Sequence, residues 1–500
     1  MNFKRTFFSN ISTFALYNYA TVGIEFLATI ILSRLLVPEE YGFVAMINIF
    51  VGFIRLFSTI GIGASVIRSN YGYTYHKHIA SLGIWLGITL FIILSGLSYP
   101  IALFFNNMKL ILPTIVVSVK FIFDSFTYIP MALMSKNLKF NVLGKGKLLA
   151  VVTQVLFMII FAALGFSYWS LIIPMIFEPI VMYIYLKRHV KLPLRLYSWK
   201  AAKRMIYRIR SLMGNLSMSN FVGYWSANAD KVVIGRLYLQ SDLGLYNRAF
   251  RFLQLSTRLI TGIFNYVLFP SLKNLMDVGG NTQKEFMDII RIITLFNLPM
   301  VFVLVVFPQE LVVLLWGPDW TGVAPYLPYV AIIIVFVSVL KSTSSVFILY
   351  GKEYNLFLAT LAKSLMNILL VIIGGLISIM HIVKLLTLGY ILFTIPVYIY
   401  LGFYKSFRFN LKKTFQFWLP AIIFGLALFI GVHIDSLAIK IISFTCYVLI
   451  LVYELKHTIY ESIKMFWGFA GKLFNLNLFS RKNGKDNLQL NGKYDPNKKN

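Results

Sequence analysis

One cysteine, Cys446, is all that this 500-residue sequence carries. An intramolecular disulfide framework and a cysteine-based metal cluster are therefore excluded. Charge is scarce too: Asp, Glu, Lys and Arg make up 13% of the residues, about half the share of an ordinary soluble domain. Acids are the rarer sign, 18 against 47 basic residues, and the six histidines are scattered. There is no Gly-rich phosphate loop and no clustered acidic metal site, and no cofactor is expected. What is plentiful is apolar surface, with 58% hydrophobic residues and a mean hydropathy of +0.76, in runs long enough to span a bilayer. The net charge of +29 would suit nucleic acid, but nucleic-acid binders gather basic residues on a folded polar face. Here they sit between apolar runs, and nucleic acid is set aside.

The apolar runs predict an all-α integral membrane protein of about fourteen transmembrane helices. Only Gly165-Phe166-Ser167-Tyr168 divides the fifth run from the sixth, so that boundary is soft. The opening MNFKRTFFSN resembles the start of a signal peptide, but its apolar run carries Asn18 and Glu25 without a convincing cleavage site, which predicts a retained first helix. With the N-terminus inside, 34 Lys and Arg fall in cytoplasmic segments, four (Arg34, Lys109, Arg236, Lys384) outside and nine within spans. That bias orients the chain by the positive-inside rule, with both termini cytoplasmic. The segment 187–211 holds nine basic residues and no acid, and reads as a topology-setting linker along anionic headgroups. The tail 456–500 begins with Ile459, Ile463, Phe466, Phe469 and Leu473 at amphipathic spacing and turns polar from Arg481, a composition expected to be disordered.

The two sides of the linker share a repeat at an offset of 202 residues. Ile30-Ile31-Leu32-Ser33-Arg34-Leu35 aligns with Val232-Val233-Ile234-Gly235-Arg236-Leu237, and the same register pairs Asn18 with Asn220, Gly42 with Gly244 and Phe50 with Phe252. Leu112-Pro113 pairs with Leu327-Pro328 after an insertion in the second half. The pattern predicts an N-terminal lobe over 1–186, the linker 187–211, a C-terminal lobe over 212–404 and an extra helix pair over 405–455. Repeated halves of this kind commonly enclose a central site.

The stretches ATIILSRLLVPEEYGFVAMI, ADKVVIGRLYLQSDLGLYNRAFRF, LFPSLKNL and LLWGPDWTGVAPYLPYVA resemble the polysaccharide transport proteins of the multidrug/oligosaccharidyl-lipid/polysaccharide (MOP) exporter superfamily, in particular the Wzx-like oligosaccharide flippases. The resemblance covers roughly residues 5–455. It implies a clamshell of two lobes that alternate access to a central cavity, in the cytoplasmic membrane of a bacterium. It also implies a cargo, an oligosaccharide unit on undecaprenyl pyrophosphate, with membrane lipids and polysaccharide assembly machinery as partners.

An ionisable group inside a span normally faces a partner or a water-filled cavity. Arg248, Arg251 and Arg258 fall within an arc of about 80° on one ideal helix, and the guanidinium fork matches phosphate oxygens. The competing reading is that Arg248 and Arg251 snorkel to the interface. Arg55 lies seven residues after Asn48, facing the same way, and either lines the cavity or pairs with Glu25. Asn18, Thr21, Glu25 and Thr29 form a polar stripe on the first helix. Ser217, Asn220, Tyr224, Asn228 and Lys231 form its mate on the seventh, and such stripes either line a cavity or join helices. The expected cavity set is Arg55, Arg248, Arg251, Arg258, Asn18, Glu25, Asn220 and Lys231, with Glu25, Asp124 and Asp230 as acids able to couple Na⁺ or H⁺. Lys120 is expected to neutralise Asp124, Glu178 to accept from backbone freed by Pro174 and Pro179, and Asp230 to pair with Lys231. Lys341 and Lys363 are candidates for the second lobe's wall.

Two rival functions can be weighed. A cationic-drug antiporter of the same superfamily would prefer an acidic cavity, and the in-span charges are mainly basic. A membrane polysaccharide polymerase or ligase would want a large catalytic outer loop, and the outer loops are short.

Overall fold

The computed structural model describes residues 3–59, 66, 73–190, 197, 207, 221–261, 272–273, 275–276, 280 and 282–456. Most of the basic linker, Asn220 and the tail from 457 lie outside the described residues, and with them the expectations made for those segments. Residues 1–455 form one compact unit and 456–500 a second.

The first unit is all-α, with no strand among the described residues. In chain order its helices are α1 (Phe3–Ser33), α2 (Pro38–Thr59), α3 (Tyr73–Phe104), α4 (Met108–Lys136), α5 (Phe140–Ala163), α6 (Trp169–Lys187) and α7 (221–237). Next comes α8, built from Gln240–Ala249, Arg251–Ser256 and a π-helical turn, Thr257–Thr261. Then follow α9 (Thr282–Val306), a short helix Pro308–Trp316 with a 3-10 segment Pro318–Tyr326, α10 (Leu327–Leu349), α11 (Glu353–Gly375), α12 (Ile379–Ser406), α13 (Leu411–His433) and α14 (Leu437–Leu455). Twelve of them are long and apolar enough to cross a membrane. The other two, α7 and α8, adjoin residues outside the described set. The soft boundary between α5 and α6 is a tight turn, with Gly165 at φ +80° and Ser167 at φ +50°, a region where glycine carries no Cβ penalty.

Within the N-terminal lobe α1 packs on α5, α5 and α4 on α6, and α3 on α4; in the C-terminal lobe α9 packs on α10 and α11 on α12, and the extra pair α13–α14 leans on α9. Burial follows the residue pattern. α10 occupies the centre of its lobe, with 89% of the most apolar stretch within Pro318–Leu349 buried, whereas the corresponding stretch of α14 is 17% buried. A predominantly hydrophobic helix belongs in a core or in lipid, and these two helices show one case each.

The lobes meet where α2 crosses α8, at the end of the bundle opposite the basic loops. Both helices start alike. The Glu40 carboxylate accepts from the Val37 amide at 3.0 Å, and the Asp242 carboxylate accepts from the Leu239 amide at 3.3 Å. Each places an acid on an orphan N–H at a helix start, where the macrodipole favours negative charge, and the two pairs are related by the 202-residue offset. The crossing itself is reciprocal. A Cβ on Gly42 would lie 1.7 Å from the Gln240 carbonyl oxygen, and a Cβ on Gly244 would lie 2.0 Å from that of Pro38. Since 38 and 240 are themselves mates, this is a self-complementary contact about a pseudo-two-fold axis, and glycine is required because backbone meets backbone.

Candidate functional site

Below the crossing, α1 faces α8 across a narrow open crevice lined by Val22, Glu25, Phe26, Arg251, Gln254, Leu255 and Arg258. Glu25 is its focus. The carboxylate accepts from Arg258 Nη1 at 2.6 Å and lies 3.6 Å from Arg251 Nη2. Two guanidinium groups seven residues apart, about 10 Å along a regular helix, thus converge on one anion. The π-helical turn begins at Thr257, immediately before Arg258, and a π turn re-aims the side chains it carries. On the other side of the contact, Tyr19 donates its hydroxyl to the Leu259 carbonyl at 3.4 Å.

Arg55, near the end of α2, is exposed and forms no ion pair among the described residues. Its charge acts on Asp124, Tyr128 and Glu178, so it belongs with the polar interior of the N-terminal lobe. Glu25 pairs with the α8 arginines instead of with Arg55. Asn18 accepts from Lys147 of α5 at 3.2 Å, and Lys341 is exposed on α10. Arg55, Lys147, Arg258 and Lys341 are exposed cations of these helices.

Several expectations are corrected. Arg248 does not join Arg251 and Arg258. Its side chain is buried at the lobe crossing, where it donates to the Ser33 hydroxyl and sits over the rings of Tyr41 (4.2 Å), Trp320 (4.5 Å) and Trp316 (5.1 Å). Two features separate it from the other two: α8 is divided at Phe250, between Arg248 and Arg251, and α2 packs directly on α8 at the Arg248 level, whereas α1 reaches the other two through the Glu25 side chain. Lys120 makes its direct ion pair elsewhere than with Asp124. It reaches α6, donating to Glu178 at 2.8 Å and to the Met175 carbonyl at 3.2 Å, so Glu178 takes a lysine in place of freed backbone. Asp230 accepts from Tyr246 at 2.6 Å, while the Lys231 ammonium turns to Asn228 at 3.0 Å. The seventh-helix stripe is thus partly bonded to itself, and Tyr224 crosses to the Ile49 carbonyl of α2.

The aromatic residues at the crossing and the Lys120–Glu178 pair were not singled out by the sequence reading. The spacing of Trp316 and Trp320 in WGPDW was the available signal for the first. Nothing in the sequence linked residues 58 positions apart. Because Lys120 is nearly enclosed, Lys120→Met is expected to destabilise the protein by about 3 kcal/mol by stranding a carboxylate. Combining it with Glu178→Leu restores most of that loss, which a pair of thermal unfolding series in detergent will read.

Residues 31–325 match a family described as polysaccharide biosynthesis proteins, a stretch that includes the α2–α8 crossing and the α8 side of the crevice but not Glu25. The chain belongs to that family. Among this family's relatives, the lipopolysaccharide biosynthesis protein WzxC of Escherichia coli is 22% identical over 71% of this chain and 72% of its own length. Matches to four curated relatives span 62–72% of those proteins. Among solved structures, the lipid II flippase MurJ in an inward closed conformation aligns with a TM-score of 0.68 at 15% identity, over 89% of this chain and 99% of that one. An inward-facing multidrug transporter of the MATE family aligns at 0.62, also at 15% identity, over 80% of this chain and 99% of that one. At such identities the likeness concerns the fold, and this polysaccharide biosynthesis protein has the two-lobed fold of the MOP superfamily.

Proposed function

We propose that the protein carries a lipid-linked oligosaccharide, built on undecaprenyl pyrophosphate, from the cytoplasmic to the outer leaflet for surface polysaccharide assembly. It acts as a transporter and performs no chemistry on the cargo. The observation that carries this reading is the convergence of Arg251 and Arg258 on Glu25 in a crevice between the lobes. Two guanidinium forks around one carboxylate form a site that a phosphate group fits better than the carboxylate does, because it offers more acceptor oxygens. Glu25 holds the place at rest, and the pyrophosphate exchanges with it. The exposed cations of both lobes, Arg55 and Lys341 among them, extend the attraction toward the cytoplasmic end. The polyprenyl tail remains in lipid, and rocking of the lobes about the crossing exposes the headgroup on the other side.

Family membership supports the substrate class, since the relatives' names refer to lipopolysaccharide, succinoglycan and teichuronic acid biosynthesis. A cationic cavity sets no direction by itself. Removal of cargo by the assembly machinery supplies one source of direction, and Na⁺ or H⁺ coupling another. Of the three candidate acids, Glu25 is held by arginines and Asp230 by Tyr246, which leaves Asp124 as the carboxylate for ion coupling.

The test follows undecaprenyl-linked oligosaccharide in cells. Deleting the gene is expected to make the intermediate accumulate on the cytoplasmic side, and Arg55→Ala to reproduce about half of that accumulation or more. A deletion strain that exports the glycan normally overturns the reading. Accumulation in the deletion strain without any effect of Arg55→Ala removes only that residue from the cavity.

A further inference from the structure

Arg248 differs from the crevice arginines in being buried, at 6% exposure, with no acidic partner among the described residues. Its Nε is enclosed and has no hydrogen-bond acceptor. The Ser33 hydroxyl and three ring faces are its surroundings. The ring faces attract the cation without supplying hydrogen-bond acceptors for its N–H donors. The guanidinium is therefore stored with donors to spare.

Closure of the crossing does not require this charge. In the 202-residue register the mate of Arg248 is Met46, 2% exposed at the matching level of α2. One half of a two-fold contact thus closes over a neutral thioether and the other over a cation. The walls around Arg248 come from both lobes, Ser33 and Tyr41 from the N-terminal and Trp316 and Trp320 from the C-terminal. Parting the lobes here removes Ser33 and Tyr41, and the guanidinium is left one turn from Arg251 on the same helix.

We propose that Arg248 is an anion site unmasked when the end opposite the basic loops opens. Closed, the aromatic box stores its charge; open, it takes the phosphate group that Arg251 and Arg258 captured from the other end. The inference rests on the cationic-cavity reading above and adds the residue that receives the anion on the far side.

Inorganic pyrophosphate is the probe, with binding measured calorimetrically on purified full-length protein. Leu36→Cys, in a Cys446→Ser background, reports opening through alkylation by a hydrophilic maleimide, because Leu36 is buried at this end. Gly42→Leu forces the crossing apart and is expected to speed alkylation at least tenfold. In that opened protein Arg248→Met weakens pyrophosphate binding about tenfold, and Arg248→Lys weakens it less. With Gly42 intact, Arg248→Met changes affinity less than twofold. Equal weakening in both backgrounds, or none in a protein shown by alkylation to be open, overturns the proposal. If Gly42→Leu does not fold, Gly244→Ala opens the same contact from its other side. Loss of affinity in Arg258→Ala with a null result for Arg248 leaves the cavity reading standing and removes this one. Failure of pyrophosphate to bind the unaltered protein removes both.

Discussion

Arg258→Ala is expected to slow translocation of a lipid-linked oligosaccharide by about a hundredfold, and Arg258→Lys by about tenfold. The alanine variant removes the stronger of the two contacts to Glu25, leaving Arg251 at 3.6 Å, and with it the fork that accepts a phosphate in a bidentate way. Lysine keeps the charge but offers a point donor. Glu25→Gln separates the placeholder role from a merely structural one. Freed from a competing internal anion, that variant binds inorganic pyrophosphate several-fold more tightly, yet does not transport faster, because release of α1 from α8 no longer depends on cargo. Transport in proteoliposomes and calorimetric binding read the two quantities separately. A Glu25→Gln protein that binds pyrophosphate more weakly than the parent would falsify the exchange of cargo for Glu25.

Gly42→Leu and Gly244→Leu are expected to give the same phenotype, a protein that stays open at the far end and loses transport. An added Cβ meets a carbonyl oxygen at 1.7 Å in one case and 2.0 Å in the other, so backbone must separate from backbone. Overpacking of this kind costs about 2 kcal/mol or more, which shifts the closed-to-open ratio by about thirtyfold. The double variant should be little worse than either single one, because both break one contact and residues sharing a contact are not additive. Alkylation of Leu36→Cys from the outer face of intact cells provides the measurement. If one glycine tolerates leucine while its mate does not, the crossing is not the reciprocal contact described here.

Much of the architecture was legible because the bilayer reduces the problem. Apolar runs of spanning length can hardly be anything but helices, since only helices satisfy their own backbone there. The 202-residue repeat paired Gly42 with Gly244, and in the structure these two residues touch across the pseudo-two-fold axis. The pairing of Arg34 with Arg236 has a similar meaning. Arg34 reaches the Leu314 carbonyl of the other lobe at 2.9 Å, and Arg236 lies over Phe104, also across the divide.

Partners of in-span charges were less legible. Periodicity tells which side of a helix a residue occupies, but not which helix faces that side or at what depth. Lys120 therefore found Glu178 instead of Asp124, one turn away on its own helix, and Asp230 found Tyr246 instead of the adjacent lysine. The sequence by itself determined the solvent, the helical class, the repeat and an excess of basic over acidic residues within the spans. Only the tertiary structure decided how three arginines on one helix divide. Arg251 and Arg258 meet an acid from α1, while Arg248, one turn further along, meets the rings that close the lobes. The reason is geometric: ideal helical spacing places all three on one face, whereas the opposing lobe packs backbone against that face at one level and reaches it across a crevice through side chains at the next.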